Sequence, residues 1–139
     1  MHILLVEDNQ ADATLLMELF AEKSDSLVQW VKDGYDALDY VFQRGQYAHA
    51  IRPDIVLLDL GLPRVNGYEV LKELKHHALF SAIPVIILTT SRNPLHRSQC
   101  EAVGANSFLC KPQDLKGYRE LVRQIINSEF PRLGAEEEK

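Results

Sequence analysis

The chain has 139 residues, 46% of them hydrophobic and 25% charged, with a formal net charge of −5. Those values suit one globular domain with one core and exclude a disordered chain. They also exclude a basic nucleic-acid binder, and no apolar run approaches the ~18 residues that a bilayer span needs.

The first apolar run, "HILLVED", reads as a strand rather than a signal peptide, because no basic segment precedes it. A cytoplasmic, membrane-free protein is the expectation. In "NQADATLLMELFAEKS", Asn9 caps a helix and Asp12 favours its N-terminus, while Leu15, Leu16, Leu19 and Phe20 share one face. "LVQWV" is the second run, followed by "DGYDALDYVFQR", where Ala37, Leu38, Val41 and Phe42 fall together.

Residues 53–67, "PDIVLLDLGLPRVNG", hold the third run, which stops on Asp59 before a loop with Gly61, Pro63 and Gly67. The bland reading of Asp59 is a cap for the next element. That element, "YEVLKELKHHALF", buries Val70, Leu71 and Leu74. "IPVIILTT" is the fourth run, and "PLHRSQCEAV" after it has the weakest helical pattern. "SFLCK" is the fifth and meets Pro112.

The helix "DLKGYRELVRQIINSEF" closes a domain spanning 1–130. Leu115, Tyr118, Val122 and Ile125 form its core stripe. Leu121, Ile126 and Phe130 lie to either side, a face wide enough to predict a homodimer interface. Residues 131–139, "PRLGAEEEK", are expected to be an acidic, disordered tail.

Runs one, three and four lack polar alternation, as central parallel strands do. The βα alternation then gives an α/β fold, an open parallel sheet with helices on both faces. Ligands of such sheets sit beyond the C-terminal strand ends. Glu7 and Asp8, Asp59, Thr89 and Thr90, and Lys111 occupy four of those ends. Two carboxylates ~4 Å apart repel by roughly 4 kcal/mol at an effective dielectric near 20. Lys111 alone cannot neutralise three. A hard divalent cation can, and oxygen-only ligands suit Mg²⁺, with a phosphoryl oxygen as the natural missing ligand.

The two cysteines, Cys100 and Cys110, form no CxxC pair and read as buried free thiols. Histidines 2, 49, 76, 77 and 96 lack metal-ligand spacing and are expected at the surface.

The set "VED", "LLDLGLPRVNG", "PVIILTTS" and "LCKP" resembles the receiver domain of bacterial two-component response regulators, over residues 2 to about 127. The resemblance implies a flavodoxin-like (βα)5 fold with strand order 2-1-3-4-5. It implies that Asp59 accepts a phosphoryl group from a sensor histidine kinase. Glu7, Asp8, Asp59 and the backbone carbonyl of Gly61 would hold Mg²⁺, for which Mn²⁺ can substitute. Thr89 and Lys111 would contact the phosphoryl group, and Thr89 with Phe108 would form a switch. The Lys111–Pro112 bond would be cis. Such a protein signals through altered contacts with a downstream protein or a second copy. It is not an enzyme beyond self-phosphorylation and self-dephosphorylation. Independently of the resemblance, carboxylates are competent phosphoryl acceptors, and the transfer needs mainly positioning and charge stabilisation.

Two departures from the family's usual pattern stand out. Gly61 and Ser91 are small where side chains normally flank the hydrolytic water, which changes the phosphoryl lifetime in a direction the residues leave open. The segment "FQRGQYAHAIRPD" is long, and with "DGYDALDYVFQRGQY" it resembles the small single-domain regulators paired with bacterial phytochrome kinases. That narrower likeness implies a red-light sensor as the kinase.

Three alternatives compete. A haloacid dehalogenase-type phosphatase needs a second acid two residues after the nucleophile, where Gly61 stands. A flavodoxin-like nucleotide module needs a phosphate-cradling loop, but "EDNQADA" has no glycine and three acids. A pseudo-receiver scaffold would lack part of the chemistry, and here every position is intact.

Overall fold

Strands and helices alternate along the chain as β1 (His2–Val6), α1 (Gln10–Lys23), β2 (Leu27–Val31), α2 (Gly34–Val41), β3 (Ile55–Leu58), α3 (Gly67–His76), β4 (Val85–Thr89), α4 (Pro94–Val103), β5 (Ser107–Cys110) and α5 (Leu115–Ile126). A short 3₁₀ turn, Gly45–Tyr47, occupies the long segment before β3. The computed structural model describes residues 1–133.

The five strands form one parallel sheet in the order β2-β1-β3-β4-β5, the expected order. β1, β3 and β4 are buried throughout, whereas edge strand β2 alternates exposed and half-buried positions up to Trp30 and buries Val31. Successive side chains point to opposite faces of a strand. Leu4, Val6, Val56, Leu58, Val85 and Ile87 therefore join the core under α2, α3 and α4. Ile3, Leu5, Ile55, Leu57, Ile86 and Leu88 join the core under α1 and α5.

Every α-helix starts on an Asn or Asp whose side chain accepts from a backbone N–H of its first turn: Asn9, Asp33, Asn66, Asn93 and Asp114. Each cap stabilises its helix by about 1 kcal/mol and fixes where the chain leaves the strand-end loop. Gly67 has a further steric reason. A Cβ there would lie 2.0 Å from the Asp59 carbonyl oxygen, so only glycine lets α3 start hard against the end of β3.

The C-terminal region departs from the sequence-based expectation. Leu121 and Phe130 are 6% and 5% exposed and belong to the core under α1 and α5, with half-buried Ile126 packed against it. The wide apolar face expected to meet a second copy is thus consumed within the protomer, while Leu115, expected in the core, is exposed at the first turn. Apolar width alone cannot separate these outcomes, because Phe130 follows the end of α5 and folds back. Pro131–Leu133 do not trail away either. The Pro131 carbonyl accepts from Ser107 Oγ, Leu133 N donates to Asn106 O at 3.0 Å, and Leu133 packs on the opposite core. The rest of the expected tail, 134–139, lies outside the described residues.

His2 corrects another expectation. It is buried, and its Nε2 lies 2.6 Å from the Tyr40 hydroxyl, across from the sheet edge where the carboxylates gather. Cys100 is buried as expected, and Cys110 is half-buried. No described helix is long and apolar enough to cross a membrane.

Candidate functional site

Sheet hydrogen bonding continues one residue past the strands and presents their polar ends together. Glu7 N donates to Val31 O at 3.1 Å, Asp59 N to Val6 O at 3.1 Å, and Lys111 N to Thr89 O at 2.8 Å. Trp30 Nε1 donates to Glu7 O at 2.7 Å and anchors the end of β1. Glu7, Asp59, Thr89 and Lys111 are all buried at this edge, and Asp8 is exposed.

The Lys111 ammonium lies between three carboxylates: Glu7 Oε1 at 2.8 Å, Asp12 Oδ2 at 2.9 Å and Asp59 Oδ2 at 3.2 Å. Burial opposes its charge, but hydrogen bonds to Glu7 and Asp12 and the charges of Glu7 and Asp59 outweigh that and hold it above the ordinary lysine value. Glu7 is moved the other way. Burial, reinforced by the charge of Asp59, pushes its carboxyl up to about 7 against the hydrogen bonds from Lys111 and Asn9 N. Such a carboxylate is short of positive charge.

Glu7, Asp8 and Asp59 can each offer a carboxylate oxygen, all within 4.8 Å of one another. The donor set is all oxygen and anionic, and it fits a hard divalent cation. Asp59 Oδ1 also accepts from Gly61 N at 3.3 Å. A Cβ at Gly61 would meet nothing within 4 Å, so the space beside Asp59 is open. Thr89 Oγ1 accepts from Ser91 N at 3.3 Å, and Phe108 lies inward, 7% exposed, in the core under α4.

The structure therefore brings together Glu7, Asp8, Asp59, Thr89 and Lys111. It differs at Lys111–Pro112, since no peptide bond among the described residues is cis. Trans is the lower-energy form of an X–Pro bond by about 0.5–1 kcal/mol, and Lys111 reaches its partners from it. Sequence reasoning treated Asp12 only as a favourable charge in the first turn of α1. Its partner Lys111 is 99 residues away, so the sequence carries no local signal of that contact.

A domain of this architecture, with an acidic cluster and a lysine at the C-terminal sheet edge, is a receiver. Residues 3–125 match the response regulator receiver domain, and the chain belongs to that family. Response regulator Rcp1 of Synechocystis sp. is 37% identical over 124 residues, covering 88% of this chain and 84% of Rcp1. Among solved structures, the phosphorylated cyanobacterial phytochrome response regulator RcpA superposes with a TM-score of 0.86 at 36% identity, covering 96% of this chain and 98% of RcpA. The Mn²⁺-bound form of Rcp1 superposes at 0.83 with 37% identity, covering 89% and 90% of the two chains. The chain is a response regulator receiver, homologous to phytochrome response regulators.

Proposed function

We propose that Asp59 is the phosphoacceptor and takes its phosphoryl group from a phosphohistidine of a sensor histidine kinase. One observation carries this reading: Glu7 and Asp59 both belong to the acidic cluster and both bond Lys111, but Asp59 is the one that faces a cavity shared with Gly61 and Thr89. A carboxylate oxygen of Asp59 attacks phosphorus, the phosphorus–nitrogen bond breaks, and the imidazole leaves with its electron pair and is protonated. Lys111 holds its charge against the acceptor and then against the phosphoryl oxygens. Thr89 Oγ1 hydrogen-bonds the same group, which draws β4 toward it and lets Phe108 fill the space behind. Glu7, Asp8, Asp59 and the carbonyl of Gly61 would hold Mg²⁺, or Mn²⁺ in its place. When bound, the ion supplies charge neutralisation in the transition state.

The kinase is a bacterial phytochrome on this reading, supported by the likeness to RcpA along nearly the full length of both chains. The signal leaves by binding, to a downstream protein or to a second copy, from a cytoplasmic domain with no catalytic turnover of its own beyond gain and loss of the phosphoryl group.

Intact-protein mass after incubation with acetyl phosphate and Mg²⁺ tests the site. The expected result is a gain of one phosphoryl group, abolished by EDTA and by Asp59→Asn. A gain that survives Asp59→Asn removes Asp59 from the role. Repeating the reaction with an autophosphorylated phytochrome kinase tests the donor, and absence of transfer from it, with acetyl phosphate still active, would remove the light connection alone.

A further inference from the structure

Asp59, Gly61, Tyr68, Thr89, Ser91 and His96 line one cavity of about 520 Å³ between the β3–α3 loop and α4. Ser91 is the hub of its far wall. Its N–H donates to Thr89 Oγ1 at 3.3 Å, its carbonyl accepts from Cys110 Sγ at 3.5 Å, and its Oγ accepts from Asn93 N at 3.3 Å. The same Oγ lies 2.5 Å from Nδ1 of His96, an exposed residue in the first turn of α4. A serine oxygen has two acceptor sites, so it can accept from both Asn93 N–H and an Nδ1–H. That tautomer leaves Nε2 of His96 with a free lone pair, on a residue that lines the cavity Asp59 shares. Orientation of an imidazole through Nδ1 is the usual way a protein frees the other nitrogen for proton transfer.

We propose that His96, positioned by Ser91, accepts the proton of the water that hydrolyses phosphorylated Asp59, and so sets how long the phosphoryl signal lasts. The inference rests on the assignment of Asp59 as phosphoacceptor. In the step, the water oxygen bonds to phosphorus and the phosphorus–oxygen bond to Asp59 breaks. The carboxylate leaves as an anion, and the water proton passes to His96 Nε2. Inorganic phosphate is released. Gly61 adds no side chain to the approach. Phosphoryl transfer has a loose transition state that gains little from a base, so the effect is about tenfold rather than the hundredfold or more of other proton transfers.

The test loads wild type, His96→Gln and Ser91→Ala with acetyl phosphate and Mg²⁺, removes the donor, and follows loss of the phosphoryl mass. His96 is exposed, so its replacement leaves the core intact, and thermal melting checks each variant. The expected decay is about tenfold slower in His96→Gln and slower by a smaller factor in Ser91→Ala. The wild-type rate should fall in deuterated buffer by a larger factor than the His96→Gln rate, because only wild type passes a proton to a side chain in the step. Equal decay rates, or a slower rate with the same isotope effect as wild type, overturn the proposal. Failure of wild type to load at all overturns the assignment of Asp59 instead, and this inference with it.

Discussion

Two lysines, Lys111 buried and Lys75 half-buried, mark opposite edges of the same sheet and do opposite work. Lys111, at the C-terminal edge, is bonded to three carboxylates. Lys75, on α3 at the N-terminal edge, donates to Ser81 O at 3.0 Å, Ile83 O at 2.9 Å and Asn106 Oδ1 at 3.0 Å. Its acceptors are neutral, and burial lowers its pKa, whereas that of Lys111 is raised. The three donor sites of Lys75 are saturated by neutral acceptors. Lys111 leaves an excess of negative charge around itself. Saturation makes a structural joint, and the excess of anions makes a site that recruits a cation and a phosphoryl group.

Replacing each lysine by methionine should break that contrast open. Lys111→Met removes the only cation among the described residues in contact with Glu7, Asp12 and Asp59 and leaves buried carboxylates facing one another. Breaking a buried ion pair from one side costs about 3–5 kcal/mol. We expect a loss of that size by urea denaturation in EDTA, with much of it recovered in millimolar Mg²⁺. A loss that Mg²⁺ leaves unchanged would mean that Lys111 is as structural as Lys75.

Lys75→Met is the converse. It strands two carbonyls and takes one of two donors from the Asn106 amide oxygen, which keeps the bond from Val85 N at 2.9 Å. Part of the cost is relieved by water, because Lys75 is only half-buried. The expected loss is about 2–3 kcal/mol. It should be equal in EDTA and in Mg²⁺, which is the discriminating result.

Cys100, buried on α4 away from both lysines, sharpens the comparison as a titration of the core between the two edges. Burial pushes its thiol up to about 11 from an ordinary 9.0. A raised folded-state value means that the unfolded chain loses its proton first, so stability present below pH 9 is lost as pH rises toward 11. The full loss is about 2.7 kcal/mol, and it should be absent in Cys100→Ala. Any Mg²⁺ dependence of that difference would tie Cys100 to the site instead of the core.

The contrast between the edges also separates what the sequence shows from what it conceals. The strand-end acids and Lys111 are legible because each terminates an apolar run, and a run of Val, Ile and Leu is a strong signal. The register of β1 with β3 and of β4 with β5 then makes them neighbours. Lys75 is not legible. Its acceptors lie 6, 8 and 31 residues away in loops, and a lysine beside an apolar stripe reads as solvated. His2 is hidden for the same reason, since its partner Tyr40 is 38 residues distant. Leu121 and Phe130 were visible as apolar but not as internal, because hydrophobicity does not distinguish a core contact from an interface.

The smallest effect tests the N-terminal edge itself. Ser107 is fully buried at the start of β5, and its hydroxyl donates to the Pro131 carbonyl. Together with the Leu133–Asn106 bond, it carries the chain under β5, from Phe130 in one core to Leu133 in the other. Ser107→Ala removes one hydrogen bond and strands one carbonyl near the surface, a loss of about 1 kcal/mol. The Leu133 amide should then exchange with deuterium faster, because the strap has lost one of its two hydrogen-bonded anchors. Phosphoryl gain at Asp59 should be unchanged, since the strap and the acidic site share neither a residue nor a charge. Slower phosphorylation in Ser107→Ala would show that the two edges are coupled through β5, and the separation of a saturated joint from a charge-hungry site would then fail.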